Sequence, residues 1–378
     1  MEYQLNQENQ KWVEETYEKI KNKMSAECDR IGDKIPYIAE EGVYKEDKAE
    51  TDIVWWTNGF WPGMLWQMYH ATKDEKYLNA ARGVEDKLDK AFDIYTGLHH
   101  DVGFMYLHSA VADYRITGNE RSKARGLHAA HLLAGRYNPR GNFLRSWNRD
   151  RSGWVIVDSM MNVPLLYWAR DELQDPRFEY VAMDHADTVM NYTVRKDGSC
   201  NHIIVLDPTN GELLETPGGQ GYASGSSWSR GQSWAIYGFA LSYHYTNKKD
   251  YLDTAKKVAH YYMSQVDSTE GLAVIDFRAP KEPVFWDSTA GVCAACGMLE
   301  IAKYVPENEK EFYIQSAIKI LKATDEKFCN WDVEYDSIVQ MGSGSYFTDH
   351  DKHVPIIYGD YFFIEAILRL LDKDILIW

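Results

Sequence analysis

An all-α toroid of six helical hairpins, the (α/α)6 barrel, is the fold this sequence predicts. It forms a single domain over residues 1–378, with one long irregular loop over its mouth. Three observations predict it. A polar or glycine-bearing cluster opens a strongly apolar helix six times along the chain. Charged turns separate these helices from segments of helical period that carry charge on one face only. No linker rich in Pro, Gly or Ser, and no low-complexity tract, divides the chain.

The apolar helices open, in order, at Gly59 in "WWTNGFWPGMLWQMYHAT", Gly103 in "HHDVGFMYLHSAVADYRIT" and Asp158 in "VDSMMNVPLLYWARDEL". They continue at Gly231 in "SRGQSWAIYGFALSYHYT", Asp287 in "WDSTAGVCAACGMLEIAKYV" and Gly359 in "YGDYFFIEAILRLL". Helices that are apolar nearly all round are buried on several sides, so these six form an inner ring. Segments such as "KDEKYLNAARGV", "GNERSKARGLHAAHLL" and "KKDYLDTAKKVAHYYM" are amphipathic and form the outer ring. Closure then brings the inner-helix N-termini together at one end. Residues 197–231 hold a β-like run, IIVLD, followed by turn formers, and a long irregular segment inside a compact domain is usually functional. It is placed over the mouth.

A net charge of −16 argues against nucleic acid or an anionic membrane as partner, but leaves room for one anionic small molecule. The chain holds 13 Trp and 26 Tyr, whose rings suit the C–H faces of sugars and whose polar tips suit hydroxyls. No apolar leader opens "MEYQLNQENQKWVEETYEKI", and no stretch reaches membrane-spanning length. Five Cys without framework spacing argue against a disulfide scaffold. Cys293 and Cys296 read as structural thiols on a packed helix, with no second pair to complete a zinc site. A cytoplasmic protein, monomeric or weakly self-associating, is expected.

The "GLHHDVGFMYLHSA" stretch admits two readings. Asp101 could cap the helix that follows, its carboxylate accepting the orphan N–H groups of the first turn. Alternatively, convergence of the inner helices places it in a shared cavity, and capping alone does not explain why Trp, His, Arg and Gln gather at the same openings. The two roles are compatible.

Taken together, "WWTNGFWPG", "HHDVGFMY", "VIVDSMMNVPLLYWA", "SSWSRGQSWAIYGFA", "DSTA" and "YGDYFFIEAILRLL" resemble the unsaturated glucuronyl hydrolases, glycoside hydrolase family 88. The match runs from about Thr51 to the C-terminus, in order. The resemblance implies an (α/α)6 barrel and release of an unsaturated uronic acid from lyase-generated glycosaminoglycan oligosaccharides. In that chemistry the C4=C5 double bond is hydrated; the resulting hemiketal opens and expels the neighbouring sugar. An unsaturated rhamnogalacturonyl hydrolase keeps the reaction and changes the sugar. A sugar 2-epimerase or a non-catalytic sugar-binding barrel keeps only the fold.

Hydration of an enol ether needs a neutral acid to protonate C4 and a base to take a proton from the attacking water, which one carboxyl group can do in turn. An ionised second carboxylate can steady the positive charge developing at C5. Asp158, in the apolar run "WVIVDSMMNVPLL", is the candidate acid/base, because desolvation raises a carboxyl pKa. Asp101 is the companion carboxylate, with His100 beside it favouring its ionised form. The resemblance gives both acids the same roles. Trp56 matches a family aromatic that stacks on substrate, with Trp147 a similar case, and His202 matches a site histidine. Gln220 can offer amide donors. Arg230 supplies the fork that suits a uronate carboxylate, and Trp234, four residues on, shares its helix face. Asp287 and Asp360 read as caps. Ser343 and Ser345 with a displaced Lys352 depart from the pattern by which some family members bind a sulfated second sugar, so the sequence does not support a preference for sulfated disaccharides and leaves unsulfated hyaluronan or chondroitin fragments open. No metal or cofactor is required, since the chemistry moves protons. The need for a protonated acid predicts an optimum below neutral pH.

Overall fold

Six apolar helices close into an inner ring in the computed structural model, which describes residues 3–378. They are Phe60–Thr72, residues 102–117, residues 159–173, Ser229–Thr246, Ser288–Ala302 and Ile357–Leu370. Successive members pack on one another and the last meets the first. Outside them lie Glu75–Ile94, Glu120–Ala134, Arg177–Thr193, Lys249–Val266 and Glu307–Phe328. The twelfth helix, Gln7–Ile31, is N-terminal and packs on the last inner helix, completing its hairpin from the opposite end of the sequence.

Local chemistry starts and stops these helices. Asp74 and Asn119 each cap an outer helix by accepting a backbone N–H from its first turn. Pro164 opens the helix Pro164–Leu173 and separates it from the short turn Ser159–Asn162. The inner helix 102–117 contains a π-type turn at Leu107–Val111, a device that recurs near functional sites. Glycine lets the inner helices approach closely at the mouth. A Cβ at Gly103 would lie 2.5 Å from Asn162 Cα, and one at Gly59 2.1 Å from the Phe104 carbonyl oxygen.

The ring is filled by aromatic side chains stacked along its axis. Phe104 meets Trp56, Trp234 and Trp378 at centroid distances of 5.3, 5.4 and 6.0 Å, and Trp378 lies parallel to Phe362. Much of the aromatic content expected to face sugar is therefore barrel core. The run IIVLD does form a strand. Ile203–Leu206 sits between Trp154–Ile156 and Leu213–Glu215 in a three-stranded antiparallel sheet, with Ile156 opposite Ile203. Cys293 and Cys296 are buried free thiols on an inner helix, as read from the sequence.

Candidate active site

Asp101 and Asp158 begin the second and third inner helices, and the ring brings them to one point. His100 Nε2 lies 3.3 Å from Asp101 Oδ1 and 3.7 Å from Asp158 Oδ1, so a single imidazole spans both acids. His99 Nδ1 approaches the other Asp101 oxygen at 3.0 Å. The Asn162 amide donates to Asp101 Oδ1 at 3.1 Å and to the Asp158 carbonyl at 3.2 Å, while its own oxygen accepts from Phe104 N–H at 2.8 Å. Neither acid caps its helix with its side chain. The capping reading of Asp101 is thus set aside: Asn162 serves the first turn, which leaves the Asp101 carboxylate to the histidines.

These surroundings drive the two acids apart. Burial alone would raise Asp101, but the flanking His100 and His99 outweigh it and hold the carboxyl well below its usual range. Asp158 moves the other way, well above that range, first through burial and then through the charge of Asp101; Arg230 opposes only in part. Burial also lowers His100, and the neighbouring Asp101 carboxylate opposes that fall. The Asp158 side chain keeps 19% exposure, yet its Oδ1 is buried without a hydrogen-bond partner. One oxygen of this carboxyl group is therefore buried with its hydrogen-bonding capacity unused.

The strand pair delivers His202 to the same place: Val157 N–H donates to the His202 carbonyl at 3.1 Å, next to Asp158. Gln220 N–H donates to His202 Nδ1 at 3.0 Å, the Gly218 carbonyl lies 3.3 Å from that same nitrogen, and Nε2 is buried with no partner. Burial lowers this imidazole to about 3, so it is neutral. The Gln220 side chain donates to the Gly344 carbonyl at 2.8 Å, and Arg230 Nη2 donates to that same oxygen at 2.8 Å. Trp56, half-buried, lies 5.1 Å from Tyr358, whose ring in turn lies 5.3 Å from the Arg230 guanidinium. Side chains from five of the six inner-helix openings thus gather at one end of the ring.

Two expected ligands take other roles. Arg230 is 1% exposed, and its Nη1 donates to Asp287 Oδ2 at 2.8 Å and the Ser343 carbonyl at 2.6 Å. The guanidinium is an internal strut, and little of its fork is left for a substrate carboxylate. Asp287 is correspondingly its counter-ion and not a cap. Trp234, 1% exposed, packs between Phe104 and Phe362 beneath the mouth, so it builds the floor and offers no face for stacking. Trp147 lies beside Trp154 at the rim, with the Arg151 guanidinium 4.5 Å above its ring. Asp360 accepts from Ser337, Ile338 and Val339, tying down a loop instead of capping its own helix.

A buried pair of acids with opposed protonation is a hydrolase signature, and comparison with known proteins agrees. The sequence profile of Glycosyl Hydrolase Family 88 matches residues 24–270. The chain belongs to this family. An unsaturated glucuronyl hydrolase from Bacillus sp. (strain GL1) is 34% identical over 350 residues, covering 90% of this chain and 92% of the relative. An unsaturated chondroitin disaccharide hydrolase from Streptococcus agalactiae serotype III (strain NEM316) is 31% identical, covering 97% and 93%. The crystal structure of an unsaturated glucuronyl hydrolase from Streptococcus agalactiae superposes with a TM-score of 0.90 at 29% identity, covering 100% of this chain and 95% of that one. The (α/α)6 barrel and its family are therefore as the sequence predicted, and the protein is a glycoside hydrolase.

Sequence reasoning missed two residues of this family 88 site. Asn162 stands four residues after Asp158, the spacing that puts both on one helix face, and that signal could have found it. His99 adjoins His100 in the sequence, and only the fold shows that the two imidazoles address different oxygens of Asp101.

Proposed function

We propose that this family 88 hydrolase releases the 4-deoxy-Δ4,5 uronic acid from the non-reducing end of lyase-generated glycosaminoglycan oligosaccharides, by hydrating the C4=C5 enol ether. The observation that carries the reading is the His100-bridged pair of carboxyl groups, one kept neutral and one kept ionised. Asp158 delivers its proton to C4, and the cation that develops at C5 is stabilised by ionised Asp101. The Asp158 carboxylate then takes a proton from water as the water oxygen bonds to C5. That step restores the acid and leaves a hemiketal, which opens and expels the next sugar. Asn162 and the two histidines hold Asp101 in place. His202 Nε2, unpartnered on a neutral ring, is offered to the substrate, and Trp56 gives a ring face at the rim.

An unsulfated second sugar suits the wall formed by residues 343–352. Ser343 Oγ is bonded to the Trp286 carbonyl, Ser345 Oγ lies 2.8 Å from Thr348 Oγ1, and Lys352 Nζ donates to Asp349 at 2.7 Å, so each expected sulfate ligand already has a protein partner. The test follows ultraviolet absorbance of the conjugated enol acid on unsaturated hyaluronan, chondroitin and rhamnogalacturonan disaccharides. Decay on the first two supports the reading. Decay on rhamnogalacturonan alone, or epimerisation of an intact aldose without decay, refutes it.

A further inference from the structure

His99 also lines a cavity of about 920 Å³ that none of Asp101, Asp158 or His202 lines. It sits between the C-terminal ends of the outer helices Glu75–Ile94 and Glu120–Ala134, and its wall includes His99, His131, Arg136, Arg145, Asn148 and Arg149. In a chain of net charge −16 this is an unusual concentration of cations. Among the described residues none of the three arginines forms an ion pair, although buried or half-buried arginines are normally paired.

Arg136 has an internal task. It donates to the carbonyls of Arg145, Ser146 and Trp147 and to Asn148 Oδ1, clamping the loop that lines the cavity. Burial and the neighbouring Arg145 push it down to about 10, against the opposing charge of Asp101. Arg145 is less committed: Nη2 donates to the Arg149 carbonyl at 2.6 Å, and Nε is buried without a partner. Arg149 is held at φ +61° and is exposed at the rim. Arg145 and Arg149 both line this cavity, and neighbouring guanidinium groups suit an oxyanion.

We propose that this cavity is an oxyanion site, taking the carboxylate or sulfate of an acidic saccharide on Arg145 and Arg149. The oxyanion chemistry stands on the cavity alone; a saccharide as its source rests on the hydrolase reading above. The cavity shares His99 with the Asp101 site, where its Nδ1 lies 3.0 Å from Asp101 Oδ2.

Sodium sulfate titrated against sodium chloride at constant ionic strength, read by tryptophan fluorescence, tests the site directly, because Trp147 and Trp154 adjoin the loop. Saturable sulfate binding is expected. It should weaken at least about tenfold in Arg145→Gln/Arg149→Gln and in Arg149→Gln alone, with Arg140→Gln, outside the cavity, as the control. In a second arm, a saturated acidic disaccharide, which has no double bond to hydrate, competes with sulfate. Displacement assigns the site to saccharide, and saturable binding without displacement assigns it to free inorganic oxyanion. A non-saturable response, or equal binding in wild type and both arginine variants, overturns the proposal. Turnover of the unsaturated disaccharide, followed separately, reports on the hydrolase reading and is independent of either arm.

Discussion

Replacing Asn162 with alanine removes a side chain that hydrogen-bonds both Asp101 and the Asp158 backbone. Its amide is buried, donates to Asp101 Oδ1 at 3.1 Å and to the Asp158 carbonyl at 3.2 Å, and accepts from Phe104 N–H at 2.8 Å. A hydrogen bond to a charged group contributes about 1.5–3 kcal/mol, and a buried donor left unpaired costs about 1–3 kcal/mol. Asn162→Ala gives up the first and orphans the Phe104 N–H, so a loss of roughly 3–5 kcal/mol in unfolding free energy follows. Asp101 also loses a donor that favours its ionised form, and kcat/KM should fall about 10- to 100-fold as the carboxylate loses its fixed orientation. Chemical denaturation gives the first quantity and the absorbance assay the second. Asn162→Asp separates them: it still accepts from Phe104 but turns a negative charge toward Asp101, so its activity should fall more than its stability. Unfolding within about 0.5 kcal/mol of wild type together with kcat/KM within twofold would refute the role assigned to Asn162.

Other perturbations address separate parts of the account. Asp101→Asn removes the charge that helps raise Asp158, so besides lost turnover the alkaline limb of any residual kcat/KM profile should move to lower pH; an unmoved limb would uncouple the two acids. In the wild type the rate should fall as pH rises through the elevated pKa of Asp158, because the proton needed at C4 is gone above it. Arg230→Ala strands Asp287 inside the barrel and should destabilise by about 3–5 kcal/mol, measured by denaturation, whether or not substrate is present. Trp378→Ala empties the axial core beneath the site and should cost about 3–5 kcal/mol while the pH dependence of kcat/KM stays as in wild type.

Helical period, opening clusters and charged turns made the toroid legible, because an inner helix must be apolar on every side and an outer one on only one. Asp158 and Asp101 were legible for a related reason: both stand at openings that closure brings together. What stayed hidden was the partner of each polar group. Arg230 looks free in "SWSRGQSW", since its acid lies 57 positions away and the carbonyl of Ser343 lies 113 away. Trp234 shares a helix face with Arg230 in the sequence, yet the ring closes over it and makes it floor. The pKa of Asp158 was expected from greasy surroundings alone, whereas the neighbouring Asp101 charge contributes as well. The β-strand at Ile203 was visible as a run, but its pairing with Ile156, which carries His202 to Asp158, required the fold.

The measurement closest to the heart of the matter is single-turnover absorbance decay with Asp158→Asn, alongside equilibrium binding of the same unsaturated disaccharide. An amide has no proton to give C4 and cannot act as the base toward water. Decay should therefore slow by at least about a thousandfold while binding stays within a few-fold of wild type. Decay at a rate near wild type would place the proton donor elsewhere and contradict the account.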